Sequence, residues 1–128
     1  MAITVTKQDI NDGSRNATVK LHLVSGAASD VTNQSLLDIS SLDGAPTLVK
    51  IVSLVASGSD MDIDLHWDAT ANVDIITIPP GETVYDFRFT GGLPNNAGAG
   101  VTGDILFSTR GAAADTEFTI IMELKKTA

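Results

Sequence analysis

A glycine-rich segment at residues 98–103 has the spacing Gly-x-Gly-x-x-Gly. In dinucleotide-binding folds such glycines lie between a strand and a helix, and the amino end of that helix holds the pyrophosphate. Here the preceding residues 93–97 are rich in turn-forming types, and the following residues 105–107 have the composition of a strand. Because no helix is predicted on either side, we interpret the segment as a loop whose backbone needs unusual angles or close packing, and we expect no cofactor.

A column of acidic residues occupies alternate positions around His66: Asp60, Asp62, Asp64 and Asp68. Carboxylates are preferred ligands of Ca²⁺. Alternate residues of a strand are separated by two rises of about 3.3 Å, so these side chains do not converge on one ion without a second strand. An EF-hand is excluded, because Leu65 and Ala71 stand where its loop requires Gly and Glu. We predict a solvated strand face and no metal site; a cation bridged between subunits is the alternative.

The residues available for hydrolytic chemistry are few. His22 and His66 are both predicted to point outward, on different strands, and the sequence has no Gly-x-Ser-x-Gly or His-Glu-x-x-His motif. Paired carboxylates for glycoside cleavage remain an alternative, but such pairs usually lie among aromatic residues that stack on sugar. The pattern instead predicts all six aromatic residues in the core: Trp67, Tyr85, Phe87, Phe89, Phe107 and Phe118. We therefore expect a protein that is not an enzyme.

About eight segments of alternating apolar and polar residues predict strands. The clearest is residues 61–68, with Met61, Ile63, Leu65 and Trp67 inward. Residues 116–125 are predicted to place Phe118, Ile120, Met122 and Leu124 inward. Residues 48–56 also fit a helical spacing, but their Val and Ile content favours a central strand. The short segment at 36–39 is a further strand, and residues 85–89 are predicted to place Tyr85, Phe87 and Phe89 on one inner face.

These strands and the turns between them predict an all-β fold, a single antiparallel β-sandwich domain over residues 1–128. A jelly roll is the first choice, because about eight strands fit two four-stranded sheets, and an immunoglobulin-like sandwich is the alternative. Residues 1–8 are expected to be a flexible arm or an added edge strand, before a turn at residues 11–14.

Composition restricts the classes of partner. Sixteen acidic against eight basic residues give a formal net charge of −8, which repels nucleic acid and anionic lipid, so neither nucleic acid nor a membrane is an expected partner. No apolar run approaches the ~18 residues of a membrane span, and the start has no export signal, so we expect synthesis in the cytoplasm without secretion. The absence of cysteine excludes disulfides and thiolate metal sites.

The sequence resembles a group of small virion structural proteins of tailed bacteriophages. The resemblance lies in four stretches: KLHLVS (20–25), DLHWD (64–68), DFRF (86–89) with GGLPN (91–95), and GDILFST (103–109) with Gly111, Ala114, Asp115 and Thr116. It implies a decoration or cement protein on the outer surface of the capsid, which binds the major capsid protein, often as a homotrimer, and stabilises the head. The alternative is a receptor- or glycan-binding module of a tail or head fibre.

For such a protein we expect binding through loops and through a terminal arm that adds a strand to a neighbour. The candidate interface residues are Ile3 and Val5 in the arm and Leu93, Pro94, Asn95 and Asn96 in the loop at residues 91–103.

Overall fold

The computed structural model describes residues 3–127, which form nine strands and two short 3-10 helices. No helix in this part of the chain is long and apolar enough to cross a membrane. The strands are β1 (Ile3–Asp12), β2 (Asn16–Ser25), β3 (Gln34–Leu37), β4 (Val49–Gly58), β5 (Asp62–Trp67), β6 (Val73–Ile78), β7 (Gly81–Asp86), β8 (Ile105–Arg110) and β9 (Thr116–Lys126), and the 3-10 helices are η1 (Ile39–Ser41) and η2 (Arg88–Thr90).

The eight strands after β1 pair in a nested order, from the outermost in sequence to the innermost. β2 pairs with β9, β3 with β8, β4 with β7, and β5 with β6, all antiparallel. Further pairing of β4 with β9 and of β5 with β8 joins them into two sheets. Sheet A has the order β1-β2-β9-β4-β7, and sheet B has the order β3-β8-β5-β6. The predicted antiparallel β-sandwich is therefore confirmed.

The core lies between the inner faces of the two sheets. Its largest side chains, Trp67, Phe107 and Phe118, are at most 1% exposed. Every inward residue predicted for β5 and β9 is buried, so the alternation was interpreted correctly in both strands. Burial of each such side chain contributes about 1.5–3 kcal/mol to the stability of the fold. A shift of the strand register by one residue would expose the whole row of core side chains to solvent. Burial therefore determines the register of these central strands.

The ambiguous segment at residues 48–56 forms the central strand β4, between β9 and β7 in sheet A. The predicted strand at residues 36–39 is only partly correct. β3 has four residues and ends at Leu37, and Ile39 lies in η1. Asp38 caps η1, because its carboxylate accepts a hydrogen bond from the backbone N–H of Ser40 at 3.0 Å. Asp38 therefore ends β3 at Leu37, although the apolar alternation continues to Ile39.

β1 is longer than the sequence pattern predicts. It pairs with β2 along residues 3–12, interrupted by a bulge between Asp9 and Asn11, and the hairpin closes with a hydrogen bond from Gly13 to Asn16. Residues 7–12 are mostly polar because β1 is an edge strand, held by backbone hydrogen bonds more than by burial.

The predicted inward position of Phe89 is wrong. β7 ends at Asp86, and the chain leaves the sheet through η2, which places the Phe89 side chain 86% exposed. Tyr85 and Phe87 are only half-buried, and their rings stack with centroids 5.9 Å apart. The helical turn breaks the period of two on which the prediction depended.

Candidate functional site

The two arm residues selected from the sequence, Ile3 and Val5, pack into the chain's own sandwich. Ile3 has no exposed surface, and its carbonyl oxygen accepts a hydrogen bond from the Gln34 side chain at 2.9 Å. Val5 is half-buried against the core. Within residues 3–127, the outer edge of β1 has no partner strand. Addition of a neighbour's strand would therefore use the backbone of β1 and not these two apolar side chains.

Three of the four selected loop residues meet in one small cavity. Leu93, Pro94 and Asn96 line a space of about 130 Å³ together with Trp67, Asp74 and Ile75. The loop is fixed to β4, because Leu93 and Ile51 exchange two backbone hydrogen bonds of 2.8 and 3.0 Å. Trp67 is only 1% exposed, so its ring is a wall of this cavity and not a stacking platform for a sugar.

Asn95, the fourth loop residue, interacts within the loop itself. Its side-chain oxygen accepts a hydrogen bond from the backbone N–H of Ala97 at 3.0 Å. Its side-chain nitrogen is buried and has no hydrogen-bond partner among residues 3–127. The structure thus places the six selected residues in two separate regions, β1 and the loop beside Trp67.

The outer face of sheet A carries an apolar row that the sequence reasoning missed. Val84, Val55 and Ile121 are direct cross-strand partners on β7, β4 and β9. Val84 is 72% exposed and Val55 is 44% exposed, whereas Ile121 is half-buried. Exposed apolar side chains that adjoin across neighbouring strands make this row a candidate protein interaction surface. The signal was present in the sequence, because residues 48–56 are apolar on both faces of their strand except for Lys50 and Ser53.

The outer face of sheet B is acidic. Asp64 accepts hydrogen bonds from the Thr77 hydroxyl at 2.6 Å and from the Arg110 guanidinium at 3.1 Å. The hydroxyl of Thr77 and, after it, Arg110 hold the pKa of Asp64 below its ordinary value. His66 faces Asp74, with 2.7 Å between Nδ1 and the carboxylate. Among residues 3–127, no three His, Asp or Glu side chains are grouped as in a metal site.

The glycine-rich segment leads into strand β8, as the sequence predicted. Gly103 is buried with a φ of +86°, and a Cβ there would collide with the carbonyl oxygen of Thr47. Gly100 has a φ of +78° and lies against Thr70. Gly98, by contrast, faces open space. Two of the three glycines are therefore required by backbone angle and packing.

Comparison of the chain with protein-family models, with curated proteins and with solved structures gives no match.

Proposed function

We propose that the chain is a non-enzymatic virion structural protein, a decoration protein that binds the assembled head of a tailed bacteriophage through the outer face of sheet A. The observation that carries the docking role is the exposed apolar row of Val84, Val55 and Ile121 across three adjacent strands. The phage context comes from the sequence resemblance described above. The partners in this proposal are the major capsid protein and further copies of the chain, as a homotrimer.

We also infer that the sandwich is a jelly roll. In support, the strands pair in a nested order: β2 pairs with β9, β3 with β8, β4 with β7 and β5 with β6. An eight-stranded chain folded in this nested way yields two four-stranded sheets, as in the double-sheet jelly rolls of viral capsid and lectin domains. Fold alone assigns no function, so this inference agrees with the docking role without carrying it.

The choice of sheet A over sheet B as the docking face rests on the apolar row and not on charge. Carboxylates occur on both outer faces: Asp62, Asp64 and Asp74 on sheet B, and Glu82, Asp86 and Glu123 on sheet A, where they flank the apolar row. The apolar row on sheet A is released from water on docking, at a gain of about 25 cal/mol per Å² buried. Docking through sheet A would bury this row and leave the carboxylates of sheet B in solvent.

The test is co-sedimentation with empty heads of the phage that carries the gene. The double variant V55T/V84T keeps β-branched side chains but makes the row polar, and we expect at least about tenfold weaker binding. The control I10T/V101T makes the same chemical change at two exposed apolar residues outside the row and should bind as wild type does. Thermal unfolding of both variants checks that they remain folded.

Two results would count against the proposal: no binding of the wild-type protein to heads, or equal binding by both double variants. Light scattering on the free protein tests the trimer separately. A receptor- or glycan-binding module would instead show saturable binding of an isolated sugar or receptor and no binding to heads.

A further inference from the structure

A cavity lies at one end of the outer face of sheet A. It has a volume of about 410 Å³ and is lined by Arg15, Asn16, Val52, Arg88, Gly91 and Lys125. These residues come from the β1–β2 hairpin, from β4, from the segment around η2 and from the end of β9. Three of the six are cations, in a protein with twice as many acidic as basic residues.

Most of these cations lack a carboxylate partner. Four of the eight basic residues, Lys7, Arg88, Arg110 and Lys126, form ion pairs with Asp or Glu. Within residues 3–127, the other four, Arg15, Lys20, Lys50 and Lys125, form none. Arg15 and Lys125 line the cavity, and Lys50 is the direct cross-strand partner of Lys125. The cations without partners are therefore concentrated at one place.

The placement of Lys50 opposite Lys125 is unfavourable for the fold alone. Like charges at directly opposed positions of two strands repel and destabilise the pair. Arg15 adds a third charge nearby, because it lines the same cavity as Lys125. Features that break a local rule without a structural gain mark functional sites. A negatively charged ligand would remove the repulsion.

Arg88 is held at the cavity by a carboxylate. Its Nη2 donates to Glu123 at 3.2 Å, and the Ser53 hydroxyl donates to the same oxygen at 3.3 Å. Asp86 lies 3.8 Å from the Nε of Arg88. The four cations Arg15, Lys50, Arg88 and Lys125 thus exceed the two carboxylates by two positive charges. Arginine and lysine side chains arranged around a cavity are the groups that bind carboxylate and phosphate.

We propose that this cavity is an anion-binding site, which takes a carboxylate- or phosphate-bearing ligand with two or more negative charges. The ligand is either a free polyanion or an acidic segment of a protein, and the chemistry of recognition is the same for both. The proposal does not depend on the docking role of the apolar row.

The test is titration of the ¹⁵N-labelled protein with pyrophosphate, with citrate and with an oligoglutamate peptide, at constant ionic strength. The backbone resonances of Asn16, Gly91 and Lys125 should shift and saturate. Arg15→Gln and Lys125→Gln should each weaken binding about tenfold, since each removes a charged hydrogen-bond donor. Saturation by pyrophosphate or citrate indicates a free polyanion, and saturation by the peptide alone indicates an acidic protein segment.

The matched control is Lys20→Gln. Lys20 lies on the outer face of β2, carries the same charge without an ion pair among residues 3–127, and does not line the cavity. Its substitution should leave the binding unchanged. The proposal is overturned if none of the three probes gives saturable shifts, or if Lys20→Gln weakens binding as much as Lys125→Gln does.

Discussion

Asp104 is an acidic residue whose charge opposes folding. Its side chain is half-buried and accepts a hydrogen bond from the backbone N–H of Ile39 at 3.1 Å. Burial raises the pKa of Asp104, and the nearby carboxylates of Asp38 and Asp68 raise this pKa further. The folded state therefore holds this proton more tightly than the unfolded chain does. It follows that the free energy of unfolding falls as the pH rises from the ordinary pKa of 3.8 through the raised value.

We therefore expect Asp104→Asn to raise the free energy of unfolding at pH ~7 by about 1 kcal/mol. The amide oxygen can still accept from Ile39, and the amide nitrogen can donate to Asp38. Urea unfolding at pH ~7 and pH ~3 measures the effect, and the gain should disappear at the lower pH, where the wild-type side chain is protonated. Glu82→Gln, at an exposed position, controls for the lower net charge. An equal rise in the free energy of unfolding of Glu82→Gln would contradict the conclusion that the buried charge of Asp104 opposes folding.

The glycine-rich segment gives a second prediction at single residues. Gly103→Ala should lower the free energy of unfolding by about 3 kcal/mol, because an L-residue resists a positive φ and its Cβ would collide with Thr47. Gly98→Ala should change it by no more than about 0.5 kcal/mol, since that position is open. Thermal or urea unfolding of the two variants measures both effects. Similar losses in the two variants would show that this packing does not determine the glycine positions.

At the level of elements, Lys126 ties three segments together at one end of the sandwich. Its Nζ donates to Asp12 at 2.7 Å, to the carbonyl of Asp43 at 2.8 Å and to the carbonyl of Gly13. The side chain is only 6% exposed. Its hydrogen bond holds the pKa of Asp12 below 3.8, so this stabilisation is present above that pH and is lost as the pH falls through the lowered pKa.

Lys126→Met should therefore lower the free energy of unfolding by about 2–3 kcal/mol at pH ~7, because Asp12 loses its partner. The difference from wild type should shrink in acid, where Asp12 becomes protonated. Urea unfolding across this pH range measures both effects. Lys125→Met, at the adjacent exposed position, is the control and should cause no comparable loss. A loss of stability that does not change with pH would show that it does not arise from the ion pair between Lys126 and Asp12.

Strands were predictable where one face is buried and the other is wet. β5 and β9 alternate cleanly, since a period of two places every second residue in the core. The same rule could not predict the length of β1, whose polar outer half is held by hydrogen bonds to β2. It also failed at Phe89, because β7 ends at Asp86 and η2 takes the chain out of the sheet while the apolar alternation continues.

The candidate sites were less predictable than the elements, for a topological reason. Arg15, Lys50, Arg88 and Lys125 are distant in sequence, and the pairing of β2, β9, β4 and β7 brings them together. The apolar row on sheet A likewise joins three strands through their register. Leu93, Pro94 and Asn96 were accessible to sequence reasoning because they are neighbours in a single loop.

For the whole molecule, the two outer faces differ in chemistry. Sheet A presents the apolar row and the basic cavity, whereas sheet B presents the paired carboxylates around Asp64. A sandwich with two such different faces is suited to lie on a larger assembly in one orientation. In the proposed decoration role, sheet A faces the head and sheet B faces solvent.

This orientation can be tested by thiol labelling, because the chain contains no cysteine. Ser57→Cys places a thiol on exposed β4 beside the apolar row, and Asp74→Cys places one on the exposed face of β6. We expect head binding to slow maleimide labelling of the Ser57→Cys variant by at least about tenfold, since an interface excludes solvent from its centre. The Asp74→Cys variant should be labelled at the same rate when bound to heads as in the free protein. The reverse pattern would place sheet B against the head, and protection of neither thiol would exclude both faces as the docking surface.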